Sequence, residues 1–204
     1  MELSEDRLSL SRQLSALDED VIAYTRILDD CGVEYVIVSG YVAILTGRAR
    51  ATEDIDVVIE PLSESETEQL VSTLRASGYW GMAMPLNEMY SLLNAGDRIR
   101  IAKEGEMFPN FETWFVANDV EREALSNSVT AEFDDASIEI SPIELQIAYK
   151  LRLAHRADSI DGKDFEDALH LFITFEEAFN TEQLESYVRS LGVEDYYGIL
   201  KRSG

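Results

Sequence analysis

The chain has 204 residues, of which 46% are hydrophobic, with 11 glycines and 4 prolines, so it holds enough apolar surface for a packed core and excludes a low-complexity or collagen-like protein. Forty acidic against 17 basic side chains give a net charge of −23, which disfavours attraction to nucleic-acid phosphate unless a local basic groove forms. A single cysteine, Cys31, excludes an internal disulfide and a cysteine-built zinc site.

In chain order, residues 3–30 carry Leu10, Leu14, Leu17, Val21, Tyr24, Ile27 and Leu28 mostly three or four apart. That spacing predicts one long helix, stopped at Gly32. Residues 34–38 are short and β-branched, a buried strand, followed by Ser39-Gly40 and a helical turn over 41–45. A basic connection, 47–52, leads to a second strand at 55–59. Pro61 and Ser63 open an amphipathic helix with Leu62, Leu70, Val71 and Leu74 inward, stopped at Gly78. Strands are predicted at 79–84, 98–102, 113–116, 129–133 and 138–140. Ser141 as cap, Pro142 in the first turn and Glu144 three after the cap predict a helix over 142–157. Further helices follow at 163–174, 181–191 and 194–201. The fold class expected is α/β (α+β), a mixed sheet flanked by helices over 1–140 with a helical portion over 141–204 packed on it.

The acids are dispersed over surface-type positions such as Glu64, Glu66, Glu68, Asp134, Asp135, Glu176 and Glu177. This distribution suits concentrated salt, where a short Debye length screens self-repulsion. The start of the chain shows no secretory pattern and no stretch reaches the length of a membrane span. A soluble, cytoplasmic protein with no membrane partner is expected.

Chemistry concentrates in Asp54-Ile55-Asp56-Val57-Val58-Ile59. Alternation along a strand turns Asp54 and Asp56 to one side and Ile55, Val57 and Ile59 to the core, with the two acids about 6.5–7 Å apart at the backbone. Carboxylates so placed repel one another and can share a divalent cation. Ser39-Gly40, between a strand and a helix, offers free backbone N–H groups to a phosphate. Arg50 and Thr52 are a guanidinium and a hydroxyl suited to the outer oxygens of a triphosphate.

The order strand, Ser39-Gly40, helix, Arg50-Ala51-Thr52-Glu53-Asp54-Ile55-Asp56, strand resembles the DNA polymerase beta superfamily of nucleotidyltransferases. That family's signature is a Gly-Gly or Gly-Ser pair followed about a dozen residues later by Asp-x-Asp; here the pair reads Ser-Gly. Downstream, Lys150, Arg156 and Lys163-Asp164-Phe165-Glu166-Asp167 are similar to the Lys…Arg…Lys-Asp-x-x-Asp ending of small prokaryotic nucleotidyltransferase-like proteins related to abortive-infection toxins of toxin–antitoxin systems. The likeness spans residues 20–175.

The resemblance implies Mg²⁺ or Mn²⁺ held by Asp54 and Asp56, a nucleoside triphosphate substrate bound through Ser39, Gly40, Arg50 and Thr52, and transfer of a nucleoside monophosphate to an acceptor whose identity stays open. Arg98, Arg100, Lys150, Lys163 and Asp164 are read either as contacts to nucleotide or acceptor or, for the last three, as an ion-pair network between helices. The superfamily adds a third carboxylate from a later strand. Here that strand reads Asp97-Arg98-Ile99-Arg100-Ile101, whose outward positions are the two arginines, so Asp97 and Glu139 become the acids to consider. His155 and His170 carry no motif. No serine nucleophile elbow or Walker lysine loop is present. The alternative reading is a catalytically degenerate nucleotide- or partner-binding module, with a cognate toxin or antitoxin as partner.

Overall fold

The computed structural model describes residues 1–4 and 6–204. Strands β1 (Glu2–Leu3), β2 (Arg7–Ser9), β3 (Tyr35–Val38), β4 (Asp54–Ile59), β5 (Tyr79–Gly81), β6 (Ile99–Lys103), β7 (Asn110–Phe115), β8 (Val129–Glu132) and β9 (Ser137–Ile140) form one mixed sheet. Its order is β1-β2-β8-β9-β3-β4-β7-β6-β5. The helices are α1 (Ala16–Asp30), α2 (Gly40–Leu45), α3 (Glu64–Ala76), α4 (Met89–Asn94), α5 (Asp119–Ser126), α6 (Ile143–Arg156), α7 (Lys163–Thr174), α8 (Thr181–Leu191) and α9 (Glu194–Ser203). This is the mixed α/β sheet flanked by helices that the pattern predicts. Among the described residues, no helix is long and apolar enough to cross a membrane.

Both faces of the sheet centre are covered, which is why β4 buries Ile55, Val57, Val58 and Ile59 completely in a nearly continuous apolar run. On the face opposite the acids, α1 lays Tyr24 flat on Phe111, with ring centroids 3.9 Å apart, and its hydroxyl meets Thr113 at 2.9 Å. On the acids' own face, α5 presents Val120 and Ala124.

The first helix is shorter than its periodicity suggests. Ser15 forms a capping box with Asp18, which starts the helix at Ala16. Upstream, Arg7, Leu8 and Ser9 pair in parallel with Thr130, Ala131 and Glu132, burying Leu8 and Leu10 against the sheet while Leu14 is left exposed. Leu10 and Leu14 fall at helical spacing for unrelated reasons. The strand predicted at 113–116 begins earlier, at Asn110, and the one at 79–84 ends at Gly81. Two short helices between strands, α4 and α5, went unpredicted; Asn118 caps α5 by accepting from Val120 and Glu121 N–H. The Ser141–Glu144 capping box does not form. Pro142 occupies the cap position without a side-chain bond, and Glu144 instead accepts from the Asn180 N–H at 2.7 Å.

Candidate functional site

Strand register assembles the site. Val38 stands opposite Asp56, Asp56 opposite Glu112 and Glu112 opposite Arg100, so these four make one row across β3, β4, β7 and β6. Residues directly opposite on neighbouring strands share a face, so Asp54, two residues from Asp56, lies on that face too, as does Trp114. The third acid beside the aspartate pair is therefore Glu112. Asp97 is exposed, two residues before β6 begins, and Glu139 sits two strands from β4, accepting from Ser128 at 2.7 Å and Thr130 at 2.9 Å. Glu112 carries a weaker signal than Asp56, one acid within the aromatic-rich segment Phe111-Glu112-Thr113-Trp114-Phe115, and a strand begun at residue 113 leaves it out.

The row is electrostatically unbalanced. Burial, then the negative charges of Asp54 and Glu112, push the Asp56 carboxyl up to about 6, against the opposing effects of Arg98 and the nearby Ser39 hydroxyl. Glu112 accepts from Arg98 at 3.1 Å and from Arg100 at 3.2 Å. Arg98 reaches Asp56 only at 4.0 Å and stacks its guanidinium 3.7 Å above the Trp114 ring. Thr52 donates to the Asp54 carbonyl at 2.9 Å and lies 3.4 Å from its carboxylate, fixing the entry to β4.

The donor chemistry of Asp54 and Asp56, hard oxygens on one side of a strand, fits a divalent cation. Glu112 is turned toward the arginines, and among the described residues no three His, Cys, Asp or Glu side chains converge as a ready-made metal site. The fit is thus to a two-carboxylate site.

Ser39, at the end of β3, has φ 65° and ψ −129°, a backbone state that a residue with a Cβ holds only when its surroundings enforce it. Its neighbour Gly40 opens α2. A Cβ on Gly40 would stand 3.0 Å from the Arg50 guanidinium, so glycine is what lets Arg50 lie against this turn. Arg50 in turn donates to Asp167 at 2.6 Å. Asp167 is fully buried and also meets Arg48 at 3.0 Å and Lys150 at 2.9 Å.

Lys150, itself 2% exposed, donates to Asp164 at 2.7 Å, and Arg48 pairs with Glu166 at 2.7 Å. The Lys…Lys-Asp-x-x-Asp segment therefore ties α6 and α7 to the loop that carries Arg50. Lys150 and Asp164 belong to this network rather than to the open row; Lys163 is exposed at the start of α7. His170 bonds the Thr46 carbonyl at 3.2 Å and exposed His155 packs edge-on to Tyr196, both away from the acids. Asp167 closes the Lys-Asp-x-x-Asp motif in the sequence, but its role as a hub is not legible there: its partners lie up to 119 residues away (Arg48 to Asp167), and no local pattern names them.

No family model matches the chain, and no curated protein matches it. Among solved structures, an antigenic nucleotidyltransferase-like protein from Paracoccidioides brasiliensis aligns with a TM-score of 0.59 and 17% identity, over 92% of this chain and 94% of its own. The antibiotic-resistance factor ANT(2'')-Ia aligns with a TM-score of 0.51 and 13% identity, over 91% and 95%. The same factor in complex with adenylyl-2''-tobramycin aligns at 0.52 and 14%, over 84% and 94%. At these identities the likeness is one of fold: the chain has a nucleotidyltransferase-like fold.

Proposed function

We propose that the protein transfers a nucleoside monophosphate from a nucleoside triphosphate to an acceptor, with the row of Asp54, Asp56 and Glu112 as its reactive centre. The observation that carries this reading is the register that sets Asp56, at the edge of an open cavity, beside Glu112 and under the repulsion of both Asp54 and Glu112. Asp54 and Asp56 would hold Mg²⁺ or Mn²⁺. When bound, such a cation supplies positive charge to the triphosphate and to the attacking oxygen.

The chain's own residues do the rest. Ser39 and Gly40 present backbone N–H groups to the β- and γ-phosphates. Arg98 and Arg100 are free to exchange Glu112 for phosphate oxygens, and Arg50 holds the Ser39-Gly40 turn in place through Asp167. The acceptor oxygen attacks the α-phosphorus, the bond from that phosphorus to the bridging oxygen breaks, pyrophosphate leaves, and the acceptor proton passes to Glu112 acting as general base.

Incubation with labelled ATP, GTP, CTP and UTP, Mg²⁺ or Mn²⁺, and protein, RNA and small-molecule acceptors tests the proposal. Label should move to an acceptor with wild type, and Glu112→Gln should slow it by about 10²-fold or more. Undiminished transfer by Glu112→Gln removes the base; no transfer to any acceptor removes the activity.

The pairing of Glu112 with two arginines favours a second reading, a nucleotide-binding module that has lost turnover and answers to a protein partner, as the likeness to toxin–antitoxin proteins suggests. Tight nucleotide binding without transfer would select it.

A further inference from the structure

Behind Asp56 and Ser39 lies a cavity of about 330 Å³. Its walls include Val38, Trp114, Leu145, Tyr149 and Leu153, with the charged Arg98 and Glu121 on the α5 and β6 side, and on α6 it is lined by Gln146. Gln146 is only 2% exposed, yet neither its Oε1 nor its Nε2 has a hydrogen-bond partner. A buried amide left unpaired is costly, and each such group in a folded protein calls for an explanation. The residue sits in the first turn of a helix where Leu would complete the apolar stripe formed by Ile143, Ile147 and Leu151, all fully buried. Packing gives no reason for an amide here.

A primary amide offers one donor and one acceptor side by side in a plane. Its complement is a flat ring carrying an acceptor next to a donor, the edge that Asn and Gln read on a nucleobase. The walls suit the faces of such a ring, since aliphatic and aromatic side chains cover a π-surface without demanding hydrogen bonds. Asp56 and Ser39 line the same cavity, so a ring seated inside lies next to the carboxylate row.

We infer that this cavity is the seat of a planar heterocycle with adjacent hydrogen-bond donor and acceptor, and that Gln146 is its specificity-determining residue. The inference rests on the nucleotidyl-transfer reading for its choice of source, the base of the donor nucleotide, with a heterocyclic acceptor as the other source. Gln146 binds and orients; it takes no part in bond making.

The test measures binding of ATP, GTP, CTP, UTP and inorganic tripolyphosphate to wild type and to Gln146→Leu, each with Mg²⁺. The inference expects wild type to bind at least one nucleoside triphosphate about tenfold or more tighter than tripolyphosphate. Gln146→Leu should lose that margin and the ranking among bases while its tripolyphosphate affinity stays put, and its melting temperature should equal or exceed that of wild type. Identical affinities and base ranking in the two proteins overturn the inference and leave the proposed activity standing.

If wild type binds neither nucleotide nor tripolyphosphate, the nucleotidyl-transfer reading fails instead. In that case free nucleosides that bind wild type but not Gln146→Leu still support the seat, and nucleosides that bind neither overturn it. Competition between a nucleoside and the triphosphate assigns the seat to the donor's base; simultaneous binding assigns it to the acceptor. Should Gln146→Leu fail to fold, Ala124→Leu, which narrows the slot from α5, carries the same comparison: it should weaken nucleotide but not tripolyphosphate, and equal effects on both overturn the inference.

Discussion

Asp56 and Asp167 are both carboxylates set into the body of the molecule, and their surroundings are opposites. Asp167 is fully buried and touched by three cations, Arg48, Arg50 and Lys150. Asp56 keeps 19% of its side chain exposed, has two acids for neighbours, and meets its nearest guanidinium only at 4.0 Å. Where charge is matched and dry, removing one member strands the others, which is the signature of structure. Where like charges are crowded beside an open cavity, a ligand bringing positive charge would relieve their repulsion, which is the ground for the site proposed there.

The largest effect should come from breaking the matched cluster. Asp167→Asn takes from Arg50 its one carboxylate partner among the described residues, and from Arg48 and Lys150 the partner each has besides Glu166 and Asp164 respectively, and should cost about 3–5 kcal/mol. In thermal melts the midpoint should fall by roughly 10 °C or more for a chain of this length. A shift of only a degree or two would mean that the network is dispensable and that Arg50 is held by something else.

The same substitution at Asp56 should do the reverse. The folded-state carboxyl, raised to about 6 from 3.8, is more stably protonated than the unfolded one, so its contribution to stability is complete below pH 3.8 and is lost as the pH climbs to about 6. Asp56→Asn removes that loss and should raise stability at pH 7 by on the order of 2–3 kcal/mol, with little gain at pH 4. Divalent-dependent nucleotide binding should disappear at the same time, and likewise for Asp54→Asn. Asp18 provides an internal contrast. Burial raises its pKa, but hydrogen bonds from Arg12, Ser15 and Tyr41 outweigh that and bring it down to about 2, so its stabilisation is present above pH 3.8 and lost toward pH 2. Guanidinium chloride unfolding at several pH values separates the two slopes. If Asp56→Asn destabilises at pH 7, the aspartate belongs with Asp167.

How much of this contrast was readable in advance depended on distance along the chain. Asp54 and Asp56 stood out because acids at period two interrupt a Val/Ile strand, a local signal. Glu112 is a lone acid with no second one at period two, and Phe108-Pro109 ahead of it blurred the start of β7 by three positions, enough to hide it. The N-terminal helix was overextended because Leu10 and Leu14 mimic a stripe that Ser15 in fact cuts. Asp167 was invisible as a hub, since its partners come from two segments and only the folded chain brings them together. Gln146 falls inside the predicted helix 142–157 with no local feature to mark it; what singles it out is the partners it lacks.

A smaller effect tests the molecule as a whole. With a net charge of −23 spread over the surface, screening should stabilise the fold as salt rises from low to molar concentration. A gain on the order of 1 kcal/mol, or about 2–4 °C, is expected. Because Asp167 is dry, the penalty of Asp167→Asn should persist at every salt concentration, whereas the gain from Asp56→Asn should shrink. A midpoint that stays flat or falls in salt would reject the salt-adapted reading.

The smallest change in stability is expected where the comparison is most exposed, at Arg98 and Arg100. Their side chains are 46% and 55% exposed, and ion pairs in such settings contribute about 0–1 kcal/mol each. Arg98→Ala with Arg100→Ala should therefore leave the melting temperature within a few degrees of wild type, although loss of the stack on Trp114 adds slightly to the cost. Function should respond much more than stability. Freed from both guanidinium groups, Glu112 can turn toward Asp54 and Asp56, so Mn²⁺ should bind more tightly in the absence of nucleotide, as paramagnetic resonance would read directly. Nucleoside triphosphate should bind more weakly, because the cations proposed to meet its oxygens are gone. Tighter metal with weaker nucleotide would place the arginines between the two ligands. Strong destabilisation with unchanged Mn²⁺ binding would instead make Arg98, Arg100 and Glu112 a structural cluster of the Asp167 kind, and would leave the aspartate pair without its third acid.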